Sequence, residues 1–343
     1  MNPSRRALLK AATGALLVPG ALGSRYARAQ AAHRLTVALT WITNVEYAGL
    51  WLAIERGFFR DEGLEIQYLP GGPNAPAPLV TVAAGKAQIG YANWFPFLDA
   101  IGKGNEFVLI GYTFPVSPLG VLSLAAKPIR KPADLVGAKI LAQGPTERSA
   151  VEATLALNNL PKDVQFVPTG FSPEPLMSKQ GDGYTAFATN QVLTLERMGL
   201  TRDKDFFFAS FDELGYQAYA SGLFTSKEML QKDRPRVVAF MRALTRGWME
   251  NQKDPSAAPK LVLSKFGVDL GLDAKQQLRQ NEVQIGLTRS PRTPTAQILQ
   301  LDRQALAGPM LQAAQATGRT NLPTVERIAD FEVMEEVHRT LRR

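Results

Sequence analysis

From Arg34 onward, short β-rich runs alternate with longer segments of helical period, and this alternation constrains the fold more than any other feature. Strands separated by helical crossovers bury their faces most readily as largely parallel sheets with helices on both sides, an α/β fold. Residues 35–39 (LTVAL) read as the first strand. Asn44 then stands at an N-cap position, and Tyr47, Leu50, Trp51 and Ile54 recur at near-helical spacing until Gly57 stops the helix. The unit repeats with a strand at 64–69, a Gly/Pro/Asn loop at 70–78, a helix from Leu79 and a strand at 88–91. A second series follows Lys127: strands at 139–142, 164–168 and 185–188, with helices at 149–157 and 192–198. Beyond it the chain is mainly helical, with helices predicted over 234–251, 274–283, 296–317 and 330–341.

The chain has 343 residues, of which 45% are apolar. That length exceeds what one hydrophobic core usually serves, so two lobes are expected. The β-compatible runs 120–125 and 221–225 flank the second series and are expected to be hinge strands. This predicts a discontinuous first lobe, 30–122 with 224–343, and a second lobe at 123–223.

The N-terminal residues bear on compartment. Ser4-Arg5-Arg6-Ala7-Leu8-Leu9-Lys10 runs into an apolar stretch, residues 11–23, that is diluted by Gly and Pro. The pattern reads as a twin-arginine export signal over 1–29, with cleavage before Gln30 after Ala27-Arg28-Ala29. The stretch is shorter than the roughly 20 apolar residues a membrane span needs. Removing residues 1–29 takes away five basic and no acidic side chains, so the formal net charge falls from +8 to +3. The mature chain therefore gives no electrostatic case for binding nucleic acid. There is no cysteine, which excludes disulfides, thiolate catalysis, thiolate metal sites and a lipid anchor at a signal-peptide cysteine. The only histidines are His33 and His338, too few for a His-based metal centre or a Ser-His-Asp triad. Binding is favoured over catalysis, with no catalytic residue, metal or cofactor expected.

Three stretches near the start then carry a likeness. Trp41-Ile42-Thr43-Asn44-Val45-Glu46-Tyr47-Ala48-Gly49, Ala53-Ile54-Glu55-Arg56-Gly57-Phe58-Phe59 and Glu62-Gly63-Leu64-Glu65-Ile66 resemble the opening of the "no message in thiamine" family of pyrimidine-precursor-binding and pyrimidine-synthesising proteins. Pro70-Gly71-Gly72-Pro73, Ala84-Gly85-Lys86-Ala87-Gln88-Ile89-Gly90 and Thr189-Asn190-Gln191 with Leu195-Glu196 agree in the same order, over roughly residues 34–270. The resemblance implies a two-lobed periplasmic-binding-protein fold that closes around a ligand and feeds an ABC permease and ATPase. Relatives serve thiamine-pyrimidine precursors, flavins, sulfonates and nitrate. The synthases of the family carry a His where this chain has Tyr47 and use a cysteine-containing motif that a chain without Cys lacks. A freely diffusing periplasmic monomer that captures a planar nitrogen heterocycle, first of all a formylaminopyrimidine, is the expectation. A cofactor-dependent synthase, a binder of aromatic carboxylates, sulfonates or flavins, and a sensor facing a membrane receptor are the alternatives.

Ligands of open α/β sheets sit beyond the carboxyl ends of strands. The strand-to-helix loops thus nominate the site. Trp41, Tyr47, Tyr91 and Trp94 offer flat faces for a planar ring, with the hydrophobic core as the competing role for Trp41, Tyr47 and Trp94. Asn44, Asn93, Asn190 and Gln191 offer paired donors and acceptors without charge, with helix capping as the competing role for Asn44 and an ordinary turn for Asn190 and Gln191. Gln143 and Thr146 precede or start a helix, which Thr146 would cap, and Glu147 and Arg148 follow. A carboxylate there accepts from an amine, a guanidinium grips a carboxylate or sulfonate, and a surface pair of the two is the third reading. Tyr184, after Asp182-Gly183, is a further candidate from the second lobe.

Overall fold

The computed structural model describes residues 33–293 and 297–342. The export signal expected over 1–29 lies outside the described residues. Ten strands form two five-stranded sheets. The first has the order β2-β1-β3-β10-β4, from β1 (His33–Ala38), β2 (Leu64–Leu69), β3 (Ile89–Ala92), β4 (Phe107–Phe114) and β10 (Ala220–Ser226). The second has the order β7-β6-β8-β5-β9, from β5 (Leu119–Leu124), β6 (Ala138–Ala142), β7 (Val164–Pro168), β8 (Gly183–Phe187) and β9 (Phe206–Ser210). In each sheet a single strand opposes the rest: β10 is antiparallel to β3 and β4, and β5 is antiparallel to β8 and β9. The principal helices are α1 (Ala48–Glu55), α2 (Trp94–Gly102), α3 (Pro145–Leu157), α4 (Gln191–Arg197), α5 (Lys227–Lys253), α6 (Ala274–Leu287), α7 (Leu311–Ala316) and α8 (Glu332–Leu341). No helix among the described residues is long and apolar enough to cross a membrane.

The fold is thus the expected two-lobed α/β arrangement. The chain changes sheets between β4 and β5, through Pro115–Pro118, and again between β9 and β10. Both crossings come just ahead of the runs 120–125 and 221–225, and those runs themselves pair within one sheet each. All of β5 lies in the second sheet, so the change of sheet precedes the boundary expected after residue 122.

The first lobe is built around the contact of α1 with α5. Leu50, Trp51, Leu52, Val237, Phe240, Leu244 and Trp248 share one buried cluster. Two glycines permit the approach: a Cβ on Gly247 would lie 1.9 Å from the carbonyl oxygen of Gly49, and one on Gly49 would lie 2.3 Å from the Trp248 ring. Pro235 lies inside α5, and Asp233 just before it leaves helical geometry (φ −147°), so the regular part starts where the apolar period predicted, near Arg234. A second cluster joins both lobes, with Trp94, Phe97, Val121, Ala150, Leu306 and Met310 among its members.

One predicted helix is corrected. The 296–317 stretch is not continuous: Leu299 takes a left-handed conformation (φ 64°) and bridges Tyr112. Asp302 then caps a short turn, Gly308 breaks the geometry beside Pro309, and α7 begins only at Leu311. The apolar spacing across this segment serves two packing surfaces instead of one helix face.

Candidate functional site

The carboxyl ends of the parallel strands converge between the lobes. Because β10 and β5 run against their neighbours, their starts meet the ends of β3, β4 and β8: Ala220 pairs with Phe114, and Leu119 pairs with Phe187. A cavity of about 230 Å³ opens at this meeting point. The first lobe lines it with Thr40, Trp41, Asn44, Glu46, Asn93, Phe114, Ala220 and Ser221. The second contributes Pro118, Glu147, Phe171, Phe187, Thr189, Asn190 and Gln191, and α6 adds Gln280 and Gln284.

Six of the residues nominated by sequence meet here: Trp41, Asn44, Asn93, Glu147, Asn190 and Gln191. Asn44 both caps and lines, since its Oδ1 accepts from the Glu46 N–H at 2.9 Å. Gln191 is tied down at both ends: its Oε1 accepts from the Phe187 N–H and its Nε2 donates to the Phe171 carbonyl. Trp41 meets Phe171 of the opposite lobe edge-on, ring centroids 4.7 Å apart, so an aromatic pair bridges the lobes at the cavity wall.

The other seven do not line the cavity. Tyr47 is buried, and its hydroxyl accepts from the Trp41 N–H at 2.8 Å and pairs with Thr40 Oγ1, so it holds the loop that the ligand would meet. Tyr91 packs edge-on against Tyr47. Trp94 is buried in the core, and its indole N–H is satisfied by the Met310 carbonyl, 216 residues away in the chain. The four-aromatic sandwich is therefore corrected to Trp41 with Phe171, Phe187 and Phe114. Gln143 is spent on Thr185, donating to its carbonyl at 2.8 Å. Tyr184 lies in β8, fully buried, and its hydroxyl donates to the Gly170 carbonyl, which positions the loop carrying Phe171. Thr146 does not cap α3: Gly144 is the N-cap residue, with Pro145 starting the helix. Arg148 turns from the cavity, its guanidinium 5.7 Å from the Phe166 ring centre, so of the two charges it is Glu147 that faces inward.

The most consequential residue missed is Glu46, on the turn before α1. Ser221 Oγ donates to Glu46 Oε1 at 3.3 Å. Ser221 itself takes a left-handed conformation (φ 53°) at the start of β10. Burial without a cationic partner pushes the Glu46 carboxyl up to about 7 despite the Ser221 hydrogen bond. Burial also raises Glu147, opposed by backbone N–H groups at the start of α3. Gln280 and Gln284 were missed as well, though α6 carries a visible sign: Gln277, Gln280, Asn281 and Gln284 recur at helical spacing and are all buried. Gln284 Nε2 donates to the Val45 carbonyl and to Asn281, whereas its buried Oε1 has no partner among the described residues.

The lining thus holds two carboxyl groups, six side-chain amides and no basic side chain. Such a surface offers acceptors and amide donors to a ligand and leaves an anion without a counter-charge. Neither histidine lines it, and no cluster of metal-ligating side chains occurs among the described residues.

Comparisons with known proteins place this architecture. The formylaminopyrimidine-binding protein of Halalkalibacterium halodurans is 24% identical over 244 residues, covering 68% of this chain and 71% of that protein. The 4-amino-5-hydroxymethyl-2-methylpyrimidine phosphate synthase of Legionella pneumophila is 24% identical over 277 residues, covering 79% and 83%. Among solved structures, the periplasmic sulfonate-binding protein SsuA from Methylobacillus flagellatus superposes with a TM-score of 0.66 at 16% identity, over 91% of this chain and 96% of that one. The fold is that of periplasmic binding proteins, and the NMT1/THI5 like family matches residues 44–258, well over half of the sequence, so the chain belongs to that family.

Proposed function

We propose that the protein is an extracytoplasmic solute-binding component of an ABC importer. It captures a small, planar nitrogen heterocycle bearing amino groups, of which a formylaminopyrimidine is the leading example, and releases it unchanged to the permease. The observation that carries this reading is the lining itself: two carboxyls and six amides, with an aromatic pair at the wall and no cation. Amino groups and ring nitrogens suit that surface, whereas a sulfonate or nitrate would find only amide and backbone N–H donors there and no basic side chain to pair with. A relative named for binding formylaminopyrimidine supports the ligand class. In this reading residues 1–29 are a twin-arginine export signal, the mature chain diffuses freely as a monomer, and closure of the two lobes traps the ligand.

The test is a ligand panel on purified mature protein: formylaminopyrimidine, riboflavin, an alkanesulfonate and an aromatic carboxylate. At a hundredfold excess over its dissociation constant, the right ligand adds about 2.7 kcal/mol to stability, seen as a rise of several degrees in melting temperature. Formylaminopyrimidine is expected to give that rise and to be recovered intact by mass spectrometry. A shift by the sulfonate instead overturns the ligand class, and a converted product overturns the binding-only role.

A further inference from the structure

Among the described residues no cation pairs with Glu46. Tyr47 on its own turn, Tyr91 from β3, Asn93 at the start of α2, Ser221 from β10 and Gln280 and Gln284 from α6 line or back the same wall, and Glu147 lines the opposite lobe. None of these is a cation. Among the described residues the only hydrogen bond to the carboxyl side chain comes from Ser221 to Oε1, and Oε2 has no partner. Gln284 lines the same cavity, and its buried Oε1 has no partner among the described residues. A ligand that satisfies both must present a proton acceptor or a shared proton at Glu46 and an N–H to the oxygens around it.

Resting on the ligand reading above, we propose that Glu46 recognises an amidine edge, a ring nitrogen next to an exocyclic amino group, and that the carboxyl and the ring nitrogen share a single proton in the complex. Written out, the carboxyl O–H donates to the ring nitrogen while the exocyclic N–H donates to the second carboxyl oxygen. The same pair with the proton moved across is carboxylate against protonated ring, so the complex always contains one proton more than ionised Glu46 and neutral heterocycle. The buried carboxyl retains a proton up to about pH 7, which supplies it without help from the ligand. Above that pH a proton must be taken from solvent on binding. Specificity follows: an analogue with a carbonyl in place of the exocyclic amine sets an acceptor against the second carboxyl oxygen and leaves that oxygen without a donor.

The experiment is calorimetric titration with formylaminopyrimidine from pH 6 to pH 9, on the mature wild-type protein and on E46Q. Gln reproduces the donor and acceptor of the protonated acid but cannot ionise. The dissociation constant of wild type is expected to rise about tenfold per pH unit above pH 7, while that of E46Q stays flat. Independently of any variant, repeating the wild-type titration at pH 8 in buffers of different ionisation enthalpy is expected to report uptake of close to one proton. Binding whose strength and proton count do not change with pH overturns the role of Glu46 while leaving the capture of a heterocycle standing. Equal pH dependence in wild type and E46Q does the same. If formylaminopyrimidine binds neither protein at any pH, the ligand reading itself falls, and this inference with it.

Discussion

Glu46→Gln is expected to raise the unfolding free energy of the ligand-free protein by about 2–3 kcal/mol at pH 8 and to change it little at pH 5. In the folded protein burial raises the carboxyl from 4.5 to about 7. The fold therefore binds a proton that the unfolded chain has already released, and the associated stability is fully present below about pH 4.5 and lost as pH rises through about 7. A shift of that size corresponds to about 3 kcal/mol, and the carboxyl's remaining contact with the cavity lowers the figure somewhat. Wild type consequently loses stability between pH 5 and pH 8, whereas the amide keeps it. Urea unfolding at the two pH values checks this. A variant equally stable or less stable than wild type at pH 8 would show that the carboxyl is not strained by burial. An acid retained at such a cost in the cleft belongs to the exchange of stability for function seen at binding sites.

The second large effect belongs to packing. Gly247→Ala is expected to cost about 3 kcal/mol, at the upper end of overpacking penalties, because the added methyl meets backbone rather than a movable side chain. The contact in question is 1.9 Å to the Gly49 oxygen, so relief requires α1 and α5 to separate. The turn carrying Asn44 and Glu46 leads directly into α1, so ligand affinity should fall together with stability. Gly286→Ala in α6 is the control: nothing lies within 4 Å of the new methyl, and the helical residue gains about 0.5–1 kcal/mol from the restricted unfolded chain. If denaturant melts place the two variants at the same stability, the close approach of α1 and α5 is not what holds the first lobe together.

Much of the fold was legible because its signals are local. The run 35–39, the Asn44 cap and the spacing of Leu50, Trp51 and Ile54 each specify structure over a few residues, and the structure follows them. Local reading failed where one pattern served two demands. Phe107–Phe114 is buried along its whole length, so it shows no alternation to mark it as β4. The 296–317 segment shows helical spacing yet is broken at Leu299 and at Gly308-Pro309.

The site divides in the same way. Chain order and residue type nominated the strand-to-helix loops and their amides, and six of the nominated residues line the cavity, none of them from the 70–78 loop. Which side chains turn inward could not be read from either. Trp94 is claimed by a carbonyl at Met310, Gln143 by Thr185, and Tyr47 by the loop it supports, while Gln284 is carried to the cavity wall by its bond to Val45. These partners lie up to 239 residues apart, and no spacing rule reaches that far. By itself the sequence determined two α/β lobes and a chain with no cysteine and two histidines, because periodicity and composition act along the chain. The tertiary structure alone decided that Glu46 and Glu147 face the cleft while Arg148 does not, because burial and orientation are set by what the folded chain brings alongside each group.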